Sequence, residues 1–399
     1  MLDQRMPSAP NSSSIWTRAF ALLCLAEFLG YAQHFMLQPA LPLYITQLGG
    51  TPLTVGIVIA AFGVTSVISR PIIGYWVDRW SETGMMTLGM IGQALSIVFC
   101  FIPFNTAVVF SNALRGIAWS SMAASGYTLL ASAAPQARRG EASGYFGGVQ
   151  SSATIIFPAI SLWILDMPLG GFHAVFFSAM ILVAAGALTA WALSHATAQR
   201  SRKTIVDFSE RWWREILNVV DRHILSAALL IFTLNMSLPC FSSFVVLYAR
   251  ELGVSHFAWY YVAVGITSAL GRPLFGRLSD KLGAGRSLII AFGLETAALL
   301  TMPFASNLAG LMISGSLWFM GAAIGGARIM ALAMEQAPAQ RRGRAMASYS
   351  TALPLSNGTG ALINGIVVDL AGYRWMFTIA AILCATGFVL IWKQWAKLR

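Results

Sequence analysis

The sequence predicts an all-α integral membrane protein: twelve transmembrane helices arranged as two pseudo-symmetric six-helix bundles. Three observations carry this expectation. The chain is 57% hydrophobic and only 10% charged, against roughly 25% charged residues in soluble domains, so lipid must solvate much of its surface. Twelve apolar runs approach the ~20 residues that a membrane-crossing helix needs. Two stretches also repeat about half a chain apart. Gly63-Val64-Thr65-Ser66 leads to Arg70-Pro71, Gly74, Asp78 and Arg79, and Gly265-Ile266-Thr267-Ser268 leads to Arg272-Pro273, Gly276, Asp280 and Lys281, each residue shifted by 202 positions.

In chain order, residues 1–14 are polar and rich in Ser and Pro and read as a disordered cytoplasmic tail. Spans follow at about 16–44, 54–77, 85–103, 107–133, 142–166 and 173–194, then 222–248, 258–278, 287–304, 308–334, 344–368 and 374–395. They read as helices because lipid offers open backbone groups no partner, and the runs are too long for barrel strands. The first run lacks a clear cleavage site and holds Glu27, so it reads as a retained span. Pro39 and Pro42 in span one, Pro158 in five, Pro239 beside Asn235 in seven and Pro354 before Asn357 in eleven predict bends. The expected units are 15–194 and 222–395, joined by a linker over 195–221 and followed by a short tail, 396–399. Within the linker, Phe208, Trp212 and Ile216 share a face, which predicts either a short amphipathic helix on the membrane surface or an ordered linker touching the ends of the spans.

Charge sets the expected orientation. Twenty of the 26 Lys and Arg fall on the side of both chain ends, two (Arg250 and Arg374) on the other, and Arg70, Arg115, Arg272 and Arg328 within or at the ends of spans. This bias places both termini in the cytoplasm. The net charge of +11 is scattered in short clusters rather than along one stripe, which argues against nucleic acid. Cys24, Cys100, Cys240 and Cys384 are far apart in apolar runs, with neither disulfide nor metal spacing.

The most informative polar pattern lies in span one. Glu27, Tyr31, His34 and Gln38 recur at steps of four, three and four, within an arc of roughly 60°. Such a face belongs in a protein interior or an aqueous cavity, and an ionisable residue there is a functional candidate. Glu27, about ten residues into its span, is expected near the midplane, where a carboxyl withdrawn from water can take up and release a proton. Arg115 in span four, with Trp119 one turn on, is the expected partner that responds to its charge. A permanent Glu–Arg pair is the bland alternative. Gln150, Asn235 and Asn357 are expected to line the cavity, and Trp318 to pack a substrate; Arg328 is expected to bind an anionic group, close a gate or contact helix ends. Glu295 lies in span nine and is a weaker candidate for proton coupling than Glu27.

The repeated Gly-x-x-x-Asp-Arg/Lys loop resembles the signature of the major facilitator superfamily. A second repeat supports this: Ala134-Pro135-Gln136-Ala137-Arg138-Arg139-Gly140 and Ala337-Pro338-Ala339-Gln340-Arg341-Arg342-Gly343 both follow the fourth span of their half. The resemblance covers essentially the whole chain. It implies that spans one, four, seven and ten line a central cavity. It also implies that Gly74, Asp78, Arg79, Gly276, Asp280 and Lys281 form a cytoplasmic latch between the halves. The glycines would admit close helix contact and the aspartates would accept from helix N-termini. The first copy departs from the pattern, with Ser81-Glu82-Thr83 where the family carries Gly and basic residues; the second keeps Gly283 and Arg286.

The resemblance implies a secondary transporter, and the compact Arg-Pro-x-x-Gly-x-x-x-Asp-Arg stretch is similar to that of the drug and metabolite efflux group. The expected partners are a small-molecule substrate, protons as coupling ion and the lipid bilayer of a bacterial inner membrane. No cofactor, metal site or nucleic acid is expected, and the working unit is expected to be a monomer. No nucleotide-binding loop or nucleophile–base arrangement is present in the sequence, which argues against an enzyme. Span five has Phe157-Pro158 where exporters often carry Gly-Pro, so uptake symport by the same fold stays open beside export. A membrane sensor that binds without translocating is the rival from another class.

Overall fold

The computed structural model describes residues 15–133, 138–197, 224–337 and 342–393, while the side chains of Asp78, Arg139, Thr197, 272–281 and 342–348 lie outside the description. The expected terminal tails and the amphipathic segment of the linker also lie outside the described residues.

Twelve long helices follow one another: α1 (Arg18–Gln47), α2 (Pro52–Arg79), α3 (Glu82–Val98), α4 (Asn105–Ala133), α5 (Arg139–Asp166), α6 (Phe172–Thr197), α7 (Leu225–Glu251), α8 (Ala258–Leu282), α9 (Ala284–Thr301), α10 (Leu308–Gln336), α11 (Arg342–Ala371) and α12 (Tyr373–Lys393). No strand occurs among the described residues. Among the described residues, nine of these helices are long and apolar enough to cross a membrane. Of the others, α4 turns Ser111, Asn112, Arg115, Ser120, Ser121 and Ser125 into the protein interior, which dilutes its apolar character without exposing polar groups to lipid. The face at which α1 begins and the α2–α3 connection lies is termed the basic face below.

Helix starts are fixed locally. Thr51 accepts from the Thr54 amide and Thr54 reciprocates, capping α2 with Pro52 at its first turn. Ser81 accepts from the Gly84 amide at 3.1 Å, so the residue that replaces the family's glycine in the first repeat serves as the α3 cap. In the second repeat a single residue, Gly283 at φ 78°, turns α8 into α9, a left-handed conformation suited to glycine.

Packing repeats with a period of six helices. As α1 packs on α5 and α6, so α7 packs on α11 and α12. As α2 packs on α4, and α3 on α4 and α6, so α8 packs on α10, and α9 on α10 and α12. Two copies of one bundle therefore make up the described protein. They meet where α2 runs along α11, where α5 runs along α8, and where α1 touches α7.

The α2–α11 seam is close because its contact positions lack side chains. The backbone of Gly358 approaches that of Gly63, and a Cβ on Gly365 would strike the Pro52 carbonyl oxygen. At the face opposite the basic one, the Trp163 and Trp259 rings join α5 to α8, with centroids 6.0 Å apart. Near the basic end of α2, by contrast, no described residue lies within Cβ reach of Gly74.

Helix α7 is broken in the middle. Its first segment ends at Asn235, and after Pro239 a π-turn spans Cys240–Phe244. Such a turn leaves carbonyls without regular helical partners. Two adjacent α8 tyrosines supply them: Tyr260 donates to the Phe241 carbonyl at 3.0 Å and Tyr261 to the Ser242 carbonyl at 2.9 Å.

Candidate functional site

The α1 stripe faces α4 and α5 in the middle of the N-terminal bundle. Glu27 is fully buried; Gln150 of α5 donates to its Oε2 at 3.0 Å, and its Oε1 has no hydrogen-bond partner. Gly126 of α4 faces Oε1 directly, so the missing side chain there is the room in which the carboxyl sits. One turn along α1, the Tyr31 ring lies 4.7 Å from that of Trp119, and Tyr127 lies near both Tyr31 and Gln150. Tyr127 nevertheless keeps 56% of its surface exposed. Tyr127 thus marks solvent-accessible space beside Glu27, on the part of the stripe nearer the basic face.

Farther from that face the stripe continues into an aromatic stack. The His34 ring sits 4.3 Å from Trp119 and 5.1 Å from Phe62, and Arg115 lies over Phe62 at 5.4 Å. Gln38, His34, Asn112 and Arg115 line a cavity of about 50 Å³ together with Ser243 of α7 and Asn357 of α11. This space holds a few waters or one small group, so the path is constricted here. Asn112 donates to the Val58 carbonyl at 2.8 Å, tying α4 to α2.

The expected meeting of Glu27 and Arg115 does not occur. Glu27 packs at the level of Gly126, eleven residues along α4 from Arg115, which is roughly 16 Å of helix. The two residues lie at similar counts into their helices, but α1 and α4 start from opposite faces.

Three further residues singled out by the sequence are held by partners within the C-terminal bundle. Arg328 of α10 pairs with Glu335 two turns along its own helix, with Nη2 3.2 Å from each carboxylate oxygen. Asn235 donates to the Ile231 carbonyl at 3.3 Å within its own helix and does not line the cavity of Gln38 and Arg115. Trp318 is buried, stacked on Phe241, and donates to the Ser237 hydroxyl at 2.8 Å, which makes it a packing element of the C-terminal bundle. Glu295 belongs to the same network: fully buried, it accepts from Ser237 at 3.4 Å, with its other oxygen unpartnered.

Of the latch residues, Arg79 contacts the Tyr75 hydroxyl and ring within α2. The side chains of Asp78, Asp280 and Lys281 and the surroundings of Gly276 lie outside the description. The four cysteines are buried and free, and no cluster with metal-binding composition occurs among the described residues.

Tyr127, Asn112 and Phe62 were not singled out from sequence. Asn112 carried a usable signal: it precedes Arg115 by three residues and Trp119 by seven, on one face of α4. Phe62 is an apolar residue in an apolar helix and carried none.

Comparison with known proteins agrees with this architecture. The sequence model of the Major Facilitator Superfamily matches residues 23–327 and again 225–396. Multidrug resistance protein MdtG of Yersinia enterocolitica is 25% identical over 412 residues, covering 99% of this chain and 96% of that one. MdtG of Proteus mirabilis is likewise 25% identical, covering 96% and 97%. Among solved structures, a POT family transporter in complex with 5-aminolevulinic acid superposes with a TM-score of 0.79 at 14% identity, covering 96% of each chain. The nucleoside transporter NupG, as a D323A mutant, gives 0.72 at 14% identity, covering 96% of this chain and all of that one. With the family model spanning both bundles and their packing repeating every six helices, this chain belongs to the major facilitator superfamily.

Proposed function

We propose that the protein exports a small organic molecule across a bacterial inner membrane in exchange for protons, as a monomer, with its basic face and both chain ends in the cytoplasm. In this reading the bundles 15–194 and 222–395 rock about the central cavity. The multidrug-resistance names of full-length relatives support efflux.

The observation that carries proton coupling is Glu27: a fully buried carboxyl, one oxygen on Gln150 and the other free, close to the partly exposed Tyr127. Leaving a lone carboxylate in such a place is costly, and adding a proton removes the charge. Occupation of Glu27 by a proton therefore alters how tightly α1, α4 and α5 pack around it. Tyr127 and Tyr31 link that change to the cavity wall, where a bound compound would compete with the proton. The same packing element responds to both ligands, which is what obligatory exchange requires.

The test is transport in proteoliposomes under an imposed pH gradient. Export by exchange predicts that a bound compound moves opposite to protons. Movement in the same direction would assign uptake symport, and no movement would leave only binding.

A further inference from the structure

Resting on that transport reading, we infer that the constricted end of the central cavity is a subsite for an oxyanion, a carboxylate or phosphate group carried by the transported compound, with Arg115 as its charge partner. Arg115 is only 4% exposed, and its Nε and Nη1 have no hydrogen-bond partner. No acidic residue lines the cavity; its polar lining is His34, Gln38, Asn112, Arg115, Ser243 and Asn357. The Phe62 ring under the guanidinium offsets only part of the cost of stripping it of water. Buried charges are otherwise found paired, and Glu27, the carboxyl expected to pair with it, lies at a different level.

One further unmet group points the same way: His34 Nδ1 is buried without a partner beside this cavity and, in the tautomer that protonates it, donates to an acceptor placed there. A neutral carbonyl would accept from the guanidinium without neutralising it. An oxyanion does both, and two of its oxygens match the guanidinium fork. At about 50 Å³ the cavity takes a head group of a few heavy atoms and not a whole compound. Trp119 and Tyr31, stacked between this cavity and Glu27, offer an apolar surface for the body. Ser243 and Asn357 come from the other bundle, so an anion held here bridges both halves.

Matched probes test the inference on the whole protein in lipid nanodiscs, by melting temperature and intrinsic tryptophan fluorescence. Benzoate is compared with benzamide, phenyl phosphate with phenol, and chloride and inorganic phosphate are added alone. At least one acid is expected to bind and raise the melting temperature, with its neutral counterpart inactive at the same concentration. Arg115→Gln should weaken that acid roughly tenfold or more, and Arg115→Lys should recover part of the loss. Equal responses to acids and neutral counterparts, or acid binding untouched by Arg115→Gln, would overturn the inference. So would a full response to chloride or inorganic phosphate alone, which would assign a resident inorganic ion. If Arg115→Gln fails to fold, the wild-type acid–neutral comparison and Asn357→Leu, expected to weaken the acid selectively, decide the matter. A pH-gradient assay with a cationic dye such as ethidium separates the two readings. Dye export without acid binding defeats the subsite alone, whereas movement of neither dye nor acid defeats the export reading.

Discussion

The Thr51 hydroxyl at the start of α2 donates to Oδ2 of Asp369 near the end of α11 at 2.8 Å, and the Leu53 amide reaches Oδ1 of the same carboxylate at 3.3 Å. A carboxylate of one bundle thus caps a helix N-terminus of the other, where the helix dipole favours negative charge. The pair is exposed, so its contribution is modest. Asp369→Asn should weaken the clasp by about 1 kcal/mol, roughly fivefold in the ratio of closed to open at that face. Spin-label distances between the bundles at the α2 and α11 ends read this ratio. An unchanged distance distribution would show that the clasp is incidental.

Gly126→Ala tests the pocket around the buried carboxyl. The added methyl would overlap Glu27 Oε1 and force either the carboxyl or α4 to move. Overpacking of this kind costs about 1–3 kcal/mol. We expect a lower melting temperature together with loss of gradient-driven transport. A variant with wild-type stability and coupling would mean that the carboxyl has room to spare.

Tyr260→Phe and Tyr261→Phe remove the donors that satisfy the carbonyls of the α7 π-turn. Each buried carbonyl left alone costs about 1–3 kcal/mol. The expected readout is faster amide exchange at the π-turn, with α1 and α4 unaffected. Uniform destabilisation of the whole protein would contradict a local role.

Much of the fold was legible because lipid imposes it. Apolar run lengths gave twelve helices, and the 202-residue repeat gave the two-bundle plan that the packing repeats. The α1 stripe was legible for the same reason: Glu27 and His34 are polar groups that hydrocarbon does not accommodate. Its partners were harder. Helical phase gives the face of a side chain but not its depth, and Arg115 was matched to Glu27 by phase although the two helices run in opposite directions. Asn235 and Arg328 each have a local partner, Ile231 or Glu335, that helical phase did not reveal.

The central claim is that substrate and proton compete through Glu27. It is tested most directly by adding a compound that stabilises the purified protein to a weakly buffered sample carrying a pH indicator. Wild-type protein should release protons as the compound binds, whereas Glu27→Gln should bind it with little or no release. Equal proton release from both proteins would contradict the account.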